Sequence, residues 1–84
     1  MYNIIVSAQA KKELKRISKS YKEPFIIALQ EIKENPLIGK PLTRELTGKF
    51  SYKVGAYRII YKIKEKDKII QVITAGHRAR VYVR

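Results

Sequence analysis

The sequence predicts an α+β fold: an N-terminal strand, an antiparallel helix pair, then an antiparallel β-meander forming a curved sheet that the helices cover on one face. Two observations carry this. Apolar residues recur at helical spacing from Ala10 to Ile32, and after the loop the period becomes alternating. Between the two regimes, Pro36 to Glu45 (PLIGKPLTRE) contains two prolines and a glycine and reads as a loop.

Each element has a local cause. Tyr2 to Val6 is short, apolar and β-branched, an opening strand. Ser7 offers an N-cap oxygen to a helix reaching about Ser18, with Ala10, Leu14 and Ile17 on its apolar side and Lys11, Lys12, Lys15, Arg16 and Lys19 elsewhere. A second helix is expected from near Lys22, with Pro24 in its first turn. Phe25, Ile26, Leu29 and Ile32 should form its buried side. Asn35-Pro36 ends it, because a residue before proline is pushed out of helical geometry. Phe50 to Val54 follows as a strand, Gly55-Ala56 as a tight connection. Tyr57 to Lys64 places Tyr57, Ile59, Tyr61 and Ile63 on one face and Arg58, Ile60, Lys62 and Lys64 on the other. Glu65 to Lys68 is a polar turn, Ile69 to Ala75 a further strand, and Val81 to Val83 a last short pairing.

Eighty-four residues allow one domain, 1–84, that buries ~60–65% of its unfolded surface. There is no cysteine, so neither disulfides nor thiolate metal sites reinforce it. No apolar run approaches a membrane span, and the N-terminus carries no secretory pattern, so a cytoplasmic location is expected. Nineteen Lys and Arg against seven Asp and Glu leave a formal charge of +12. So many like charges in a small body repel one another, and a polyanion would relieve them. Nucleic acid is the commonest such partner. The competing readings are a merely soluble basic protein and one that sits on an acidic membrane.

The C-terminal half is more specific. Val54-Gly55-Ala56-Tyr57-Arg58-Ile59-Ile60-Tyr61 resembles the VGxYRxIY hairpin of RelE-family toxins, and Ala75-Gly76-His77-Arg78-Ala79-Arg80-Val81-Tyr82 resembles that family's closing GHRxxVY segment. The N-terminal layout agrees, so the resemblance spans nearly the whole chain. It implies a RelE-like β-α-α-β-β-β toxin of a type II toxin–antitoxin system that cleaves messenger RNA in the ribosomal decoding site without a metal or other cofactor. It also implies a cognate RelB-like antitoxin as partner, beside ribosome and mRNA. Membrane is not an expected partner, and DNA is expected only through an antitoxin complex. The sister ParE group shares the fold and poisons DNA gyrase without being a nuclease, and fold alone does not choose between the two.

Cutting RNA without a metal needs a base for the 2′-hydroxyl, cations for the charge that builds on the phosphoryl oxygens, and a proton for the leaving 5′-oxygen. A single histidine excludes a two-histidine mechanism. Crowding by guanidinium groups disfavours a lysine's ammonium form, which suits Lys53 to be the base. Arg58 is expected to clamp the scissile phosphate bidentately. By resemblance, Arg78 acts on the leaving oxygen, and Tyr82 stacks on or orients a nucleotide. Lys49, Ser51, His77 and Arg80 are expected to contact RNA. Some relatives carry two basic residues where this chain has Ser51 and Lys53, so only one is basic here.

Each assignment has a structural competitor. Lys53 also reads as a solvated lysine, Arg58 as the partner of Glu45 or Glu65 in an ion pair, and His77 as a hydrogen-bonded packing residue. Arg78 and Tyr82 also read as an exposed terminus.

Overall fold

The computed structural model describes residues 2–77. Strand β1 (Asn3–Val6) runs into Ser7, whose extended backbone (φ −65°, ψ 161°) starts helix α1 (Ala8–Arg16). The Ser7 hydroxyl accepts the Ala10 N–H at 3.0 Å, satisfying one of the amides that a helix start leaves open. Ala10 and Ile17 enter the core and Leu14 packs at its margin, as the spacing predicts. Lys15 and Arg16 close α1, where cations meet the negative helix end.

Helix α2 (Lys19–Glu34) begins earlier than expected, because Ile17 turns extended to bury its side chain and Ser18 (φ −61°, ψ 155°) re-enters the helix at once. Pro24 therefore lies in the second turn rather than the first. It has no N–H to give the Ser20 carbonyl, and both residues are exposed to water. The buried stripe differs as well: Phe25, Ala28 and Ile32 face the sheet, whereas Ile26, expected in the core, is 57% exposed. One residue turns a helix by about 100°, so seating Phe25 inward carries Ile26 outward. Ile26 instead lines a groove with Leu14, Ile17, Phe25 and Leu29, rimmed by Lys15 and Lys22. Asn35 ends α2, as the following proline requires.

The segment from Pro36 to Glu45 is more ordered than a loop. Two 3-10 turns, Pro36–Ile38 and Arg44–Leu46, flank a short strand β2 (Lys40–Pro41) that pairs antiparallel with Ser51 and Phe50. The anchor is Tyr61, which is fully buried. Its hydroxyl donates to the Pro36 carbonyl at 2.7 Å and accepts the buried Gly39 N–H at 3.0 Å. Gly39 is needed for this approach, since a Cβ there would lie 2.5 Å from the Tyr61 oxygen.

Strands β3 (Lys49–Val54), β4 (Tyr57–Lys64) and β5 (Ile69–His77) form the meander. Gly55 at φ 60° opens the two-residue β3–β4 turn, in the pattern of a type II′ hairpin. The five strands lie in the order β1-β5-β4-β3-β2, with β1 parallel to β5 and the other pairings antiparallel. Ile59, Tyr61, Ile70, Val72 and Ala75 meet Ala10, Phe25, Ala28 and Ile32 in one core. Tyr52, on the same face, donates its hydroxyl to the Glu31 carboxylate at 2.5 Å and so ties β3 to α2. That bond to an anion, with burial second, holds the phenol above its ordinary value. The pairing expected for Val81 to Val83 lies outside the described residues.

Tyr61→Phe is expected to cost about 1–3 kcal/mol in urea unfolding, because it leaves the buried Gly39 N–H and the Pro36 carbonyl without the hydroxyl. Burial also raises the Tyr61 phenol above its ordinary value of 10.0. A group raised in the folded state contributes stability that is whole below its unfolded value and lost as pH climbs through the folded one. Wild-type stability should thus fall above about pH 10, and the fall should be shallower in Tyr61→Phe.

Candidate functional site

Residues directly opposite one another in a sheet share a face, and successive residues alternate faces. The β3–β4 register sets Lys53 opposite Arg58, Ser51 opposite Ile60 and Lys49 opposite Lys62. On the other side of β4, Arg58 is paired with Gly76 and Ile60 with Thr74. With the companion stripe committed to the helices, these residues form the outer face of the sheet. The sequence-derived assignment of Arg58, Lys62 and Lys64 to one face agrees with this arrangement.

Arg58 is half-buried and Lys53 is exposed. The Arg58 Nη1 donates to the Ser51 Oγ at 3.2 Å, and Ser51 is itself buried. Ser51 stands two positions from Lys53 on the same strand and therefore on the same face. Ser51, likened above to a basic position of some relatives, is thus a buried hydroxyl that accepts from the guanidinium. Gly76, paired with Arg58 across β4 and β5, adds no side chain at that register position.

Lys49 lies four residues from Lys53 along β3, about 13 Å away at strand rise. It faces Lys62 and is remote from Arg58. Lys40 joins this region through β2, where it pairs with Ser51. Sequence reasoning missed Lys40 because a two-residue strand around Pro41 carries no alternation signal. No acidic residue occurs in β3, β4 or β5. Two like-charged pairs, Lys53 with Arg58 and Lys49 with Lys62, therefore sit directly opposite one another, an arrangement that destabilises a sheet by itself. An anion laid along this face would neutralise both.

Of the other residues singled out from the sequence, the His77 backbone pairs with Tyr57 at the end of β5. Arg78, Arg80 and Tyr82 lie outside the described residues. Tyr57 packs edge-on to Tyr21 and Phe25 on the helix side, as expected of a core residue.

Residues 4–82 match the family profile described as "ParE toxin of type II toxin-antitoxin system, parDE". The chain is 31% identical to Toxin RelG of Mycobacterium tuberculosis (strain ATCC 25618 / H37Rv), over 99% of this chain and 98% of that protein. Its fold superimposes with a TM-score of 0.84 on a chain of the M. tuberculosis toxin–antitoxin complex RelBE2, at 29% identity, covering 92% of this chain and 98% of that one. It superimposes at 0.80 on the isolated Escherichia coli RelE toxin, at 24% identity, covering 98% of this chain and 92% of that one, a likeness of fold. A family match that runs nearly end to end, joined to a full-length relative at this identity, makes the chain a member of the RelE/ParE toxin family of type II toxin–antitoxin systems.

Proposed function

We propose that this toxin is a ribosome-dependent endoribonuclease that cleaves messenger RNA and is neutralised by a RelB-like antitoxin. The observation that carries the reading is Lys53 directly opposite Arg58, with the guanidinium held by the Ser51 hydroxyl. A toxin acting only by binding a protein has no need of a positioned phosphate clamp. The relatives named RelG and RelE point the same way.

In this reading the Lys53 side chain is the base that takes the proton of the 2′-hydroxyl. That oxygen attacks the adjacent phosphorus, the bond to the 5′-oxygen breaks, and a 2′,3′-cyclic phosphate forms. Arg58 stabilises the charge on the phosphoryl oxygens at close range. By resemblance, Arg78 assists the leaving 5′-oxygen, which must gain a proton, and Tyr82 orients a nucleotide. Lys49, Arg80 and His77 belong to the surrounding RNA contacts. Ser51 acts through Arg58 and does not touch the nucleotide. The ribosome supplies the positioning that an open sheet face lacks. Antitoxins accompany the relatives in RelBE2 and in the archaeal RelE–RelB complex of Pyrococcus horikoshii. The apolar groove between α1 and α2, rimmed by Lys15 and Lys22, suits an amphipathic helix with acidic flanks.

The family description also names ParE, so inhibition of gyrase is the rival reading. The deciding experiment adds the purified toxin to ribosomes programmed with a defined transcript, in the presence of chelator, and maps new ends by primer extension. Cuts that require the ribosome and survive chelation are expected. Intact message, together with double-strand DNA breaks in cells whose translation continues, would establish the rival.

Arg58→Ala is expected to lower cleavage by about 10²–10³-fold, with an unchanged circular dichroism spectrum. Arg58→Lys should not restore it, since an ammonium cannot reproduce a two-pronged contact. Ser51→Ala should lower the single-turnover rate by about tenfold, the worth of one hydrogen bond to a charged group. A fully active Arg58→Ala or Arg78→Ala protein would sink the catalytic assignment.

A further inference from the structure

β1 ends at Val6, opposite Val72, while β5 continues to His77. Among the described residues, β5 from Ile73 onward pairs with a strand on one side only. The ladder to β4 is also interrupted there, since Tyr61 pairs with Val72 and Ile60 with Thr74, which leaves Ile73 as a bulge. The outer half of β5 is thus uncoupled from the register that β1 imposes on the inner half.

Ser7 and the side chain of Glu13 take over where β1 stops. The Ser7 N–H donates to the Val72 carbonyl at 2.9 Å, and its hydroxyl donates to the Ile73 carbonyl at 2.7 Å. Glu13 goes further. Its Oε1 accepts both the Ala75 N–H at 2.9 Å and the Thr74 hydroxyl at 2.6 Å, and its Oε2 accepts the Gln9 amide at 3.3 Å. Ala75 is 1% exposed, so its N–H needs an acceptor from within the protein. In a chain with nineteen cations, this carboxylate gives both oxygens to neutral donors.

We propose that Glu13 is a positioning residue: it clamps the outer half of β5 beyond the end of β1 and so sets where Gly76 lies against Arg58. Ala75 immediately precedes Gly76, the residue paired with Arg58. Arg78 follows two residues later in the chain. The geometry stands alone; its consequence for catalysis rests on the RNA-cleaving reading.

The test compares Glu13→Ala, Glu13→Gln and Thr74→Val with wild-type toxin in the programmed-ribosome assay, alongside amide hydrogen exchange. Glu13→Ala should lower kcat by about 10²-fold with KM nearly unchanged, the signature of misplacement rather than weakened binding. Glu13→Gln keeps an acceptor oxygen and should recover most of the rate. Thr74→Val, which leaves the Ala75 bond in place, covers the case in which Glu13→Ala does not fold and should lose about tenfold. Exchange protection at Ala75 should vanish in Glu13→Ala and persist in Glu13→Gln, while the α2 amides stay protected in both. Wild-type kcat in both Glu13→Ala and Thr74→Val, or a Glu13→Gln protein as slow as Glu13→Ala, would overturn the proposal. Should wild-type toxin leave the message intact, the nuclease reading fails by itself. The exchange result at Ala75 then decides the clamp, with loss supporting it and retention overturning it.

Discussion

Burial of Tyr57, Ile59, Tyr61 and Ile63 against the helices is the constraint from which the outer face follows. A strand has only two faces, so a one-residue slip of β4 would carry this whole stripe out of the core and bring Arg58, Lys62 and Lys64 into it. Burying charges without partners is far costlier than losing any single contact. The register is therefore held by the helix side, and Arg58 must stand opposite Lys53 whatever those two cations would prefer. Gly55 assists, because its left-handed backbone lets the hairpin close in two residues without an offset.

The outer face carries the opposite energetics. Cross-strand neighbours of like charge weaken a sheet, and here two such pairs occur on adjacent strands with no acid in β3, β4 or β5. Hydrophobic burial on the other side tolerates this repulsion, and any bound polyanion relieves it. A surface assembled in this way gains stability from its ligand. That is what a phosphate-binding face requires, and it also favours an acidic protein that covers the same ground. The link between fold and proposed activity is thus electrostatic, and the Arg58–Ser51 hydrogen bond adds the direction that charge alone lacks.

Polar groups complete the architecture where strands end. Tyr61 reaches through the core to hold the segment around Pro36 and Gly39, which allows β2 to form and adds Lys40 to the outer face. Ser7 and Glu13 do the equivalent at the opposite edge, where β1 is shorter than β5. In both places a side chain replaces a backbone partner. The sheet thereby extends further than its regular pairing would carry it.

Legible in the chain were the order of β1, the two helices and the meander, the apolar stripe of β4, the facing of Arg58, Lys62 and Lys64, and the family resemblance carried by the hairpin and closing segments. These rest on local periodicity and on short contiguous motifs, which a linear reading captures. It misjudged the start of α2 and the fate of Ile26, because the rotation of a helix is set by which side chains fit the sheet beneath it. It could not reach β2, the buried role of Ser51, or the contacts of Glu13 with Thr74 and Ala75 on β5. Thr74 and Glu13 are 61 residues apart, and no pattern in the chain marks them as neighbours. Only tertiary packing decided those features, since a buried amide takes whichever acceptor the fold brings within reach.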